Sequence, residues 1–280
     1  MRHDDTDVAA PTGLAARLAG RNRELGQRRR AKRGAGMVSV VNAVVQARMG
    51  STRLPGKVLR DLGGLPVLGW VVRALRAVDG VDDVVIATST LPGDDVIEVY
   101  AEQVDVACVR GPEEDVLARF VLALERHPAD AVVRITADCP LVDPALVEQV
   151  VAAWRTDRRW DYVATTLVRT LPRGLDVELV SAAALRELTA TATGFHRQHV
   201  TSLLYTEPAG RRLLGLSVAP DASDLRVTLD TDEDWTMMST LVSALGTRVL
   251  GWEDVVGFLR AHPDVVALNS DVSQKALEAG

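Results

Sequence analysis

The stretch Val40–Leu59, "VVNAVVQARMGSTRLPGKVL", decides how the rest of the chain is read. Its opening "VVNAVVQ" is an apolar run of strand length, suited to a strand covered on both faces of a sheet. The run spills into a loop that holds two glycines, a proline, two arginines (Arg48 and Arg53), a lysine (Lys57) and two hydroxyls. Gly50 and Gly56 let the backbone approach a ligand closely or adopt a positive φ. Ser51 and Thr52 add hydroxyl donors, and successive N–H groups in such a loop can form an anion nest. Arg48 and Arg53 offer forked guanidinium groups, Lys57 a compact ammonium. This chemistry suits either a polyphosphate-binding loop or a solvated basic loop. It is not a P-loop, which runs through Gly-Lys-Ser/Thr straight into a helix.

Outward from that stretch, strand and helix patterns alternate. Residues 66–78, 93–104, 113–127 and 144–155 have apolar residues at helical spacing, and Pro66 and Pro144 stand at helix starts. Residues 81–89, 106–110 and 130–136 are short buried-strand runs between them. This rhythm predicts βαβ units and a parallel sheet. After Trp160 it breaks. Residues 160–166 and 174–181 are strand-like with no helix between them, which predicts antiparallel pairing and a mixed sheet. Residues 182–191 and 197–207 are expected to be helical, 212–219 and 225–230 to be strands, and 232–246 and 252–263 to be closing helices. The expected class is α/β, a mainly parallel mixed sheet with helices on both faces. Residues 37–280 are expected to form one domain, with an acceptor-binding insertion around 160–220.

Composition bounds the function. A chain of 280 residues, 47% hydrophobic and 25% charged, has the makeup of a soluble globular protein with a large core. No apolar run approaches the ~20 residues of a membrane span. The basic run at 28–36 lacks the apolar core of a signal peptide. Two cysteines, Cys108 and Cys139, make neither a disulfide framework nor a metal-ligand spacing, so a cytoplasmic location is expected. Residues 1–36 carry nine Lys/Arg and four acids, leaving the remainder at −11 of the overall −6. The basic arm is expected to be a disordered tail, or upstream sequence ahead of a start at Met37. An acidic body argues against a nucleic-acid surface, and its basic clusters should be local and directed at a ligand.

Two acidic constellations follow strand ends, where ligands sit in open α/β sheets. In "TADCPLVDP", Thr136–Pro144, Asp138 is placed either to hold Mg²⁺ beside a phosphate or to act as a turn residue. Asp143 before Pro144 is a helix cap. Cys139 is a small buried side chain rather than a nucleophile, having no neighbouring His to activate it. In "LRVTLDTDEDW", Leu225–Trp235, Asp230 ends a strand and could converge with Asp138 on a metal. Asp232, Glu233 and Asp234 suit the first turn of a helix, through its dipole. His127 and His262, each followed by Pro, mark helix ends. Trp70, Trp154, Trp235 and Trp252 lie on helical patterns and belong to the core, and Arg158–Trp160 is a helix end entering a strand.

Taken together, "ARMGSTRLPGKVL", "RGPEEDVLARF", "RITADCPLVDP", "PRGLDVELV" and "LRVTLDTDEDW" resemble the cytidylyltransferases over roughly residues 40–260. The match is to the spore-coat-polysaccharide-type branch of the acylneuraminate and Kdo superfamily. The resemblance implies a Rossmann-like, GT-A-like nucleotide-diphospho-sugar transferase fold. It also implies an enzyme that uses CTP and Mg²⁺ to attach CMP to a sugar acid, releasing pyrophosphate. By position it assigns Arg53 and Lys57 to the triphosphate and leaving pyrophosphate, and Asp138 and Asp230 to the metal. Ala47, Arg48, Gly50, Ser51, Thr88, Ser89, Arg110, Asp115 and Thr136 would line the nucleotide side. Arg173, Asp176, Glu178, Arg197 and His199 would meet the acceptor. Two positions depart from the family pattern: Ala137 replaces the usual glycine before the metal aspartate, and Gln198 replaces a glutamate. Both bear on the acceptor more than on the reaction class, leaving room for a phosphonate or other anionic acceptor. A glycosyltransferase on the same fold, or an inactive nucleotide-binding protein, are the rival readings. A homodimer is expected, as such folds often form one.

Overall fold

The computed structural model describes residues 39–274; the basic arm and its expected disorder lie outside the described residues. Seven strands form one sheet in the order β3-β2-β1-β4-β6-β5-β7. Strands β1 (Val41–Gln46), β2 (Asp83–Ser89), β3 (Ala107–Gly111) and β4 (Ala131–Thr136) are parallel neighbours. Helices α1 (Val67–Ala77), α2 (Asp95–Gln103) and α3 (Val116–Arg126) make the crossovers between them. Helix α4 (Pro144–Thr156) leads on to β5 (Tyr162–Ala164). The rhythm change after Trp160 is real: β6 (Glu178–Ser181) runs antiparallel to both β4 and β5. Helices α5 (Ala182–Thr191), α6 (Phe195–Gln198) and α7 (Ser202–Thr206) follow, then the edge strand β7 (Leu213–Gly215), parallel to β5. The chain closes with α8 (Asp232–Leu245), α9 (Trp252–Ala261) and α10 (Pro263–Ala267).

Alternation along each strand feeds two cores. Val41, Ala43 and Val45 of β1 pack with α1, α4, α8 and α9, while Val44 packs with α3 and α5 on the opposite face. β2 divides the same way, Val84 and Ile86 against Val85 and Ala87. A strand buried on both faces has no polar side to show, which is why these runs look continuous in sequence. Helix starts follow local chemistry. Asp115 caps α3 through Ala118 N at 2.9 Å, and Asp143 caps α4 through Ala145 N at 2.7 Å. Thr231 and Asp234 form a capping box on α8.

Three expected elements differ. Residues 197–207 do not form one helix but split into α6 and α7, because Val200 turns to φ 50° with its side chain fully buried. A β-branched residue holds that conformation only where packing over-determines it. The strand expected at 212–219 shortens to β7. Residues 225–230 join no strand: the segment makes one isolated bridge, Arg173 to Arg226, and Leu229 N donates to the Asp138 carbonyl at 2.9 Å. Leu225, Val227 and Leu229 are buried, so the alternating pattern is genuine. It serves packing beneath Gly174 (φ 105°), where a Cβ would lie 2.6 Å from the Val227 carbonyl, rather than sheet pairing.

Candidate active site

Strand order reverses at β1, with β2 on one side and β4 on the other, and ligands of open α/β sheets bind beyond the carboxyl ends at such a point. Gln46 pairs with Thr136, and Ala137 N donates to Gln46 O at 3.0 Å. The basic loop and the Asp138 segment therefore leave the sheet side by side. A cavity of about 950 Å³ opens there, within the size range of ligand pockets.

The loop is shaped by its own backbone. Met49 O accepts from both Ser51 N (3.0 Å) and Gly56 N (3.1 Å), and Gly56 turns the chain at φ 69°. Asp94 accepts from Met49 N at 2.7 Å while also taking the Ser89 hydroxyl at 2.5 Å, so the turn after β2 braces the loop. Leu54 is buried, and the 3₁₀ turn Lys57–Leu59 then directs Lys57 inward.

Lys57 is 7% exposed. Its ammonium donates to Asp138 Oδ2 (2.9 Å), Asp230 Oδ1 (2.8 Å) and the Leu229 carbonyl (2.6 Å), which satisfies all three of its protons. Burial alone would lower its pKa, but the two carboxylates outweigh it and hold the group above its ordinary value. Asp138 mirrors this: burial pushes up, Lys57 pulls down, and the net is a carboxyl below its ordinary value. Asp230 also meets Arg53 Nη2 at 3.3 Å and Arg226 Nη2 at 3.1 Å. Arg226 is in turn gripped by Asp234, through Nε at 2.8 Å and Nη2 at 2.9 Å. Asp234 is fully buried and takes the Asp230 N–H at 2.9 Å as well, so it does more than soothe a helix dipole. It orients the side chain and backbone around Asp230.

The donor set fits a divalent cation of the Mg²⁺ kind. Two carboxylates already converge on a single positive charge, and Mg²⁺ usually takes one or two carboxylates and completes its shell with substrate oxygens and water. Among the described residues there is no group of three or more His, Cys, Asp or Glu placed to hold a metal without such help.

Two further acidic residues of the cavity wall are already neutralised. Asp176 takes a two-pronged bond from Arg169, at 2.5 and 3.0 Å. Glu178 accepts from Arg134 (2.5 Å), Tyr162 (2.7 Å) and Thr201. Arg173 lines the same space; burial and then the neighbouring Arg169 lower its pKa. An anion arriving there would meet a surplus of positive charge.

Of the residues singled out in sequence, the cavity wall includes Ala47, Arg48, Gly50, Ser51, Arg53 and Lys57. It also includes Thr136, Asp138, Asp230, Arg173, Asp176, Glu178 and His199. Thr88, Ser89, Arg110, Asp115 and Arg197 lie outside it. Arg110 folds over the turn after β2 onto Asp95 (2.6 Å) and Glu98 (2.9 Å). Arg197 bonds Asp115 through Nε at 2.7 Å and clasps α6 to the start of α3. Gln198 Nε2 donates to Glu114 at 3.0 Å, a bond a glutamate could not make without a proton. Cys139 is buried and its thiol pushed up by that burial, consistent with a packing role.

Sequence reasoning passed over four arginines at this site: Arg119, Arg134, Arg169 and Arg226. Two carried a signal. Arg134 interrupts an otherwise apolar buried strand, and Arg119 falls on the same helical stripe as Val116, Phe120 and Ala123.

Comparison with known proteins bears on what this geometry is for. The family profile described as cytidylyltransferase matches residues 42–249. The spore coat polysaccharide biosynthesis protein SpsF of Bacillus subtilis is 35% identical over 231 residues, 79% of this chain and 94% of that protein. The 3-deoxy-manno-octulosonate cytidylyltransferase of Acidobacterium capsulatum is 39% identical over 107 residues, 38% of this chain and 42% of that protein. A cytidylyltransferase structure from Leptospira borgpetersenii superposes with a TM-score of 0.79 at 26% identity, over 85% of this chain and 100% of that one.

Proposed function

The chain belongs to the cytidylyltransferase family and is a nucleotidyltransferase, and from that premise we propose that it transfers CMP from CTP to a sugar acid with release of pyrophosphate. The observation that carries this reading is the meeting of Lys57, Arg53, Asp138 and Asp230 at the mouth of a glycine-bearing loop. The names of the relatives from Bacillus and Acidobacterium support polysaccharide chemistry and an ulosonic acid acceptor.

In this reading the acceptor oxygen attacks the α-phosphorus in line with the departing pyrophosphate. Such transfers depend on positioning and charge stabilisation rather than on covalent help from the protein. Arg48, Gly50 and Ser51 cradle the nucleotide against the strand ends. Arg53 and Lys57 offset the charge that accumulates on pyrophosphate, an effect of the size usual for preorganised electrostatics at reacting centres. Asp138 and Asp230 would hold Mg²⁺, which when bound supplies charge neutralisation and lowers the pKa of an acceptor hydroxyl. Arg173 and His199 face the acceptor, the former meeting its carboxylate. Asp176 and Glu178 act one step removed, by fixing Arg169 and Arg134 in the wall. A cytoplasmic homodimer without nucleic-acid or membrane partners completes the proposal; among the described residues no helix is long and apolar enough to cross a membrane.

A pyrophosphate-release screen tests it, pairing each of the four nucleoside triphosphates with ulosonic acids, aminosugars and phosphonates. Release with CTP and an ulosonic acid is the expected result. Release only with a phosphonate reassigns the acceptor. No release with any pair removes the proposed reaction.

A further inference from the structure

The carboxylate of Asp230 stands on a segment, residues 225–230, that no strand ladder fixes. Buried backbone without a ladder needs other partners to keep one course. Part of that anchorage comes from beyond residue 249, where the match to the family profile ends. Asn269 follows α10 and is 5% exposed. Its Nδ2 donates to Asp234 Oδ1 at 2.9 Å and, more weakly, to the Arg226 carbonyl at 3.4 Å. Both neighbours can only accept, so the amide has to turn its NH₂ edge toward them.

The bonds continue from there to the cavity. Asp234 Oδ1 also takes Arg226 Nε at 2.8 Å. Its Oδ2 takes Arg226 Nη2 at 2.9 Å, the Asp230 N–H at 2.9 Å and the Thr231 N–H at 3.2 Å. Arg226 Nη2 reaches on to Asp230 Oδ2 at 3.1 Å. One guanidinium is thus shared between a fully buried carboxylate and the one that faces the cavity. Given wholly to Asp230, it would occupy an oxygen that a divalent cation needs. Held by Asp234, it orients that carboxylate and leaves part of its charge uncommitted. Asn269 secures Asp234 without adding a positive charge that would draw it away from Arg226. An aspartate in its place would set two carboxylates against each other, and an aliphatic residue would leave a buried Asp234 oxygen one donor short.

We propose that Asn269 is a positioning residue for metal binding at Asp230, acting through Asp234 and Arg226. This rests on the reading of Asp230 as a metal carboxylate in CMP transfer, and it extends the working site to the C-terminal end of the fold. Removing a partner that orients a metal-binding group typically costs about 10- to 100-fold in metal affinity.

Mn²⁺ binding to the full chain, followed by electron paramagnetic resonance with CTP present and no acceptor, tests the role. Calorimetric binding of CTP in EDTA is the companion measurement. Asn269→Ala should weaken Mn²⁺ by about 10-fold and leave metal-free CTP binding within about twofold. In an Asp230→Asn background the same substitution should change Mn²⁺ affinity by less than about twofold, because the group it acts through is already gone. Unchanged Mn²⁺ affinity in Asn269→Ala overturns the proposal. An equal loss of metal-free CTP binding overturns it too, since a general loosening of the cavity gives that result. So does a loss of Mn²⁺ that persists in full in the Asp230→Asn background. If Asn269→Ala does not fold, Asn269→Ser, whose side chain is too short to span to Asp234, decides by the same readings. Any of these failures in an enzyme that still releases pyrophosphate leaves nucleotidyl transfer standing. Wild type that binds CTP but no Mn²⁺ removes the metal reading of Asp230 and this role with it, and wild type that binds neither removes CMP transfer as well.

Discussion

At the scale of single residues, Lys57 organises the site. Its ammonium stands between Asp138 and Asp230, so each of the three stabilises the others before any ligand arrives. Replacing Asp138 by Asn should lower turnover by at least about 10²-fold, as expected when one preorganised charge is lost at a reacting centre. Unchanged turnover in that variant would sink its assignment to the metal. Lys57→Met removes one partner of a buried ion cluster and should cost about 3 kcal/mol of stability, measured by denaturation without divalent metal. The pH dependence of that difference has a definite sign. Lys57 is held above its ordinary 10.5, so its contribution is complete below that pH and fades as the pH rises through the folded value. Asp138 is held below its ordinary 3.8, so its contribution is complete above that pH and fades as acid lowers it through the folded value. The gap between wild type and Lys57→Met should therefore stay flat from about pH 5 to 9 and narrow in acid. A gap that grows in acid would contradict the arrangement.

Elements place these residues through features that differ from one glycine to another. Gly174 sits at φ 105° with the Val227 backbone 2.6 Å from any added Cβ. Gly174→Ala should cost more than about 2 kcal/mol, since both the conformation and the backbone contact resist it. Gly257, within α9, has nothing within 4 Å of the same position. There alanine should stabilise by about 0.5–1 kcal/mol, through helix propensity. Urea denaturation of the two variants gives opposite signs if the backbone approach at Gly174 is what holds residues 225–230 beside the cavity. The strands and crossover helices that carry the loop were legible in sequence because apolar spacing alone specifies them. The break at Val200 and the unpaired course of residues 225–230 were not, since neither alters the local pattern: both are set by what the segments pack against.

For the whole molecule, the sheet brings together residues from the first strand, the fourth strand and the segment before α8, which lie far apart in the chain. A site assembled that way needs no metal to exist, because Lys57 already offsets the carboxylates. Chelation with EDTA should accordingly abolish turnover while shifting the thermal midpoint by no more than about 2 °C, given that no interaction of the folded frame is removed. A large fall in the midpoint on chelation would show a structural metal and contradict this account.

Sequence alone determined the alternating strand and helix order, the basic loop after β1, and the candidacy of Asp138 and Asp230 as its acidic partners, all of which follow from local spacing and side-chain chemistry. Tertiary structure decided which charges the site leaves for a ligand. Arg110, Asp115 and Arg197 satisfy one another or their neighbours outside the cavity. Asp176 and Glu178 are spent on Arg169 and Arg134. Residue type and spacing state what a side chain can bond; only the packed chain settles which partners it has already met.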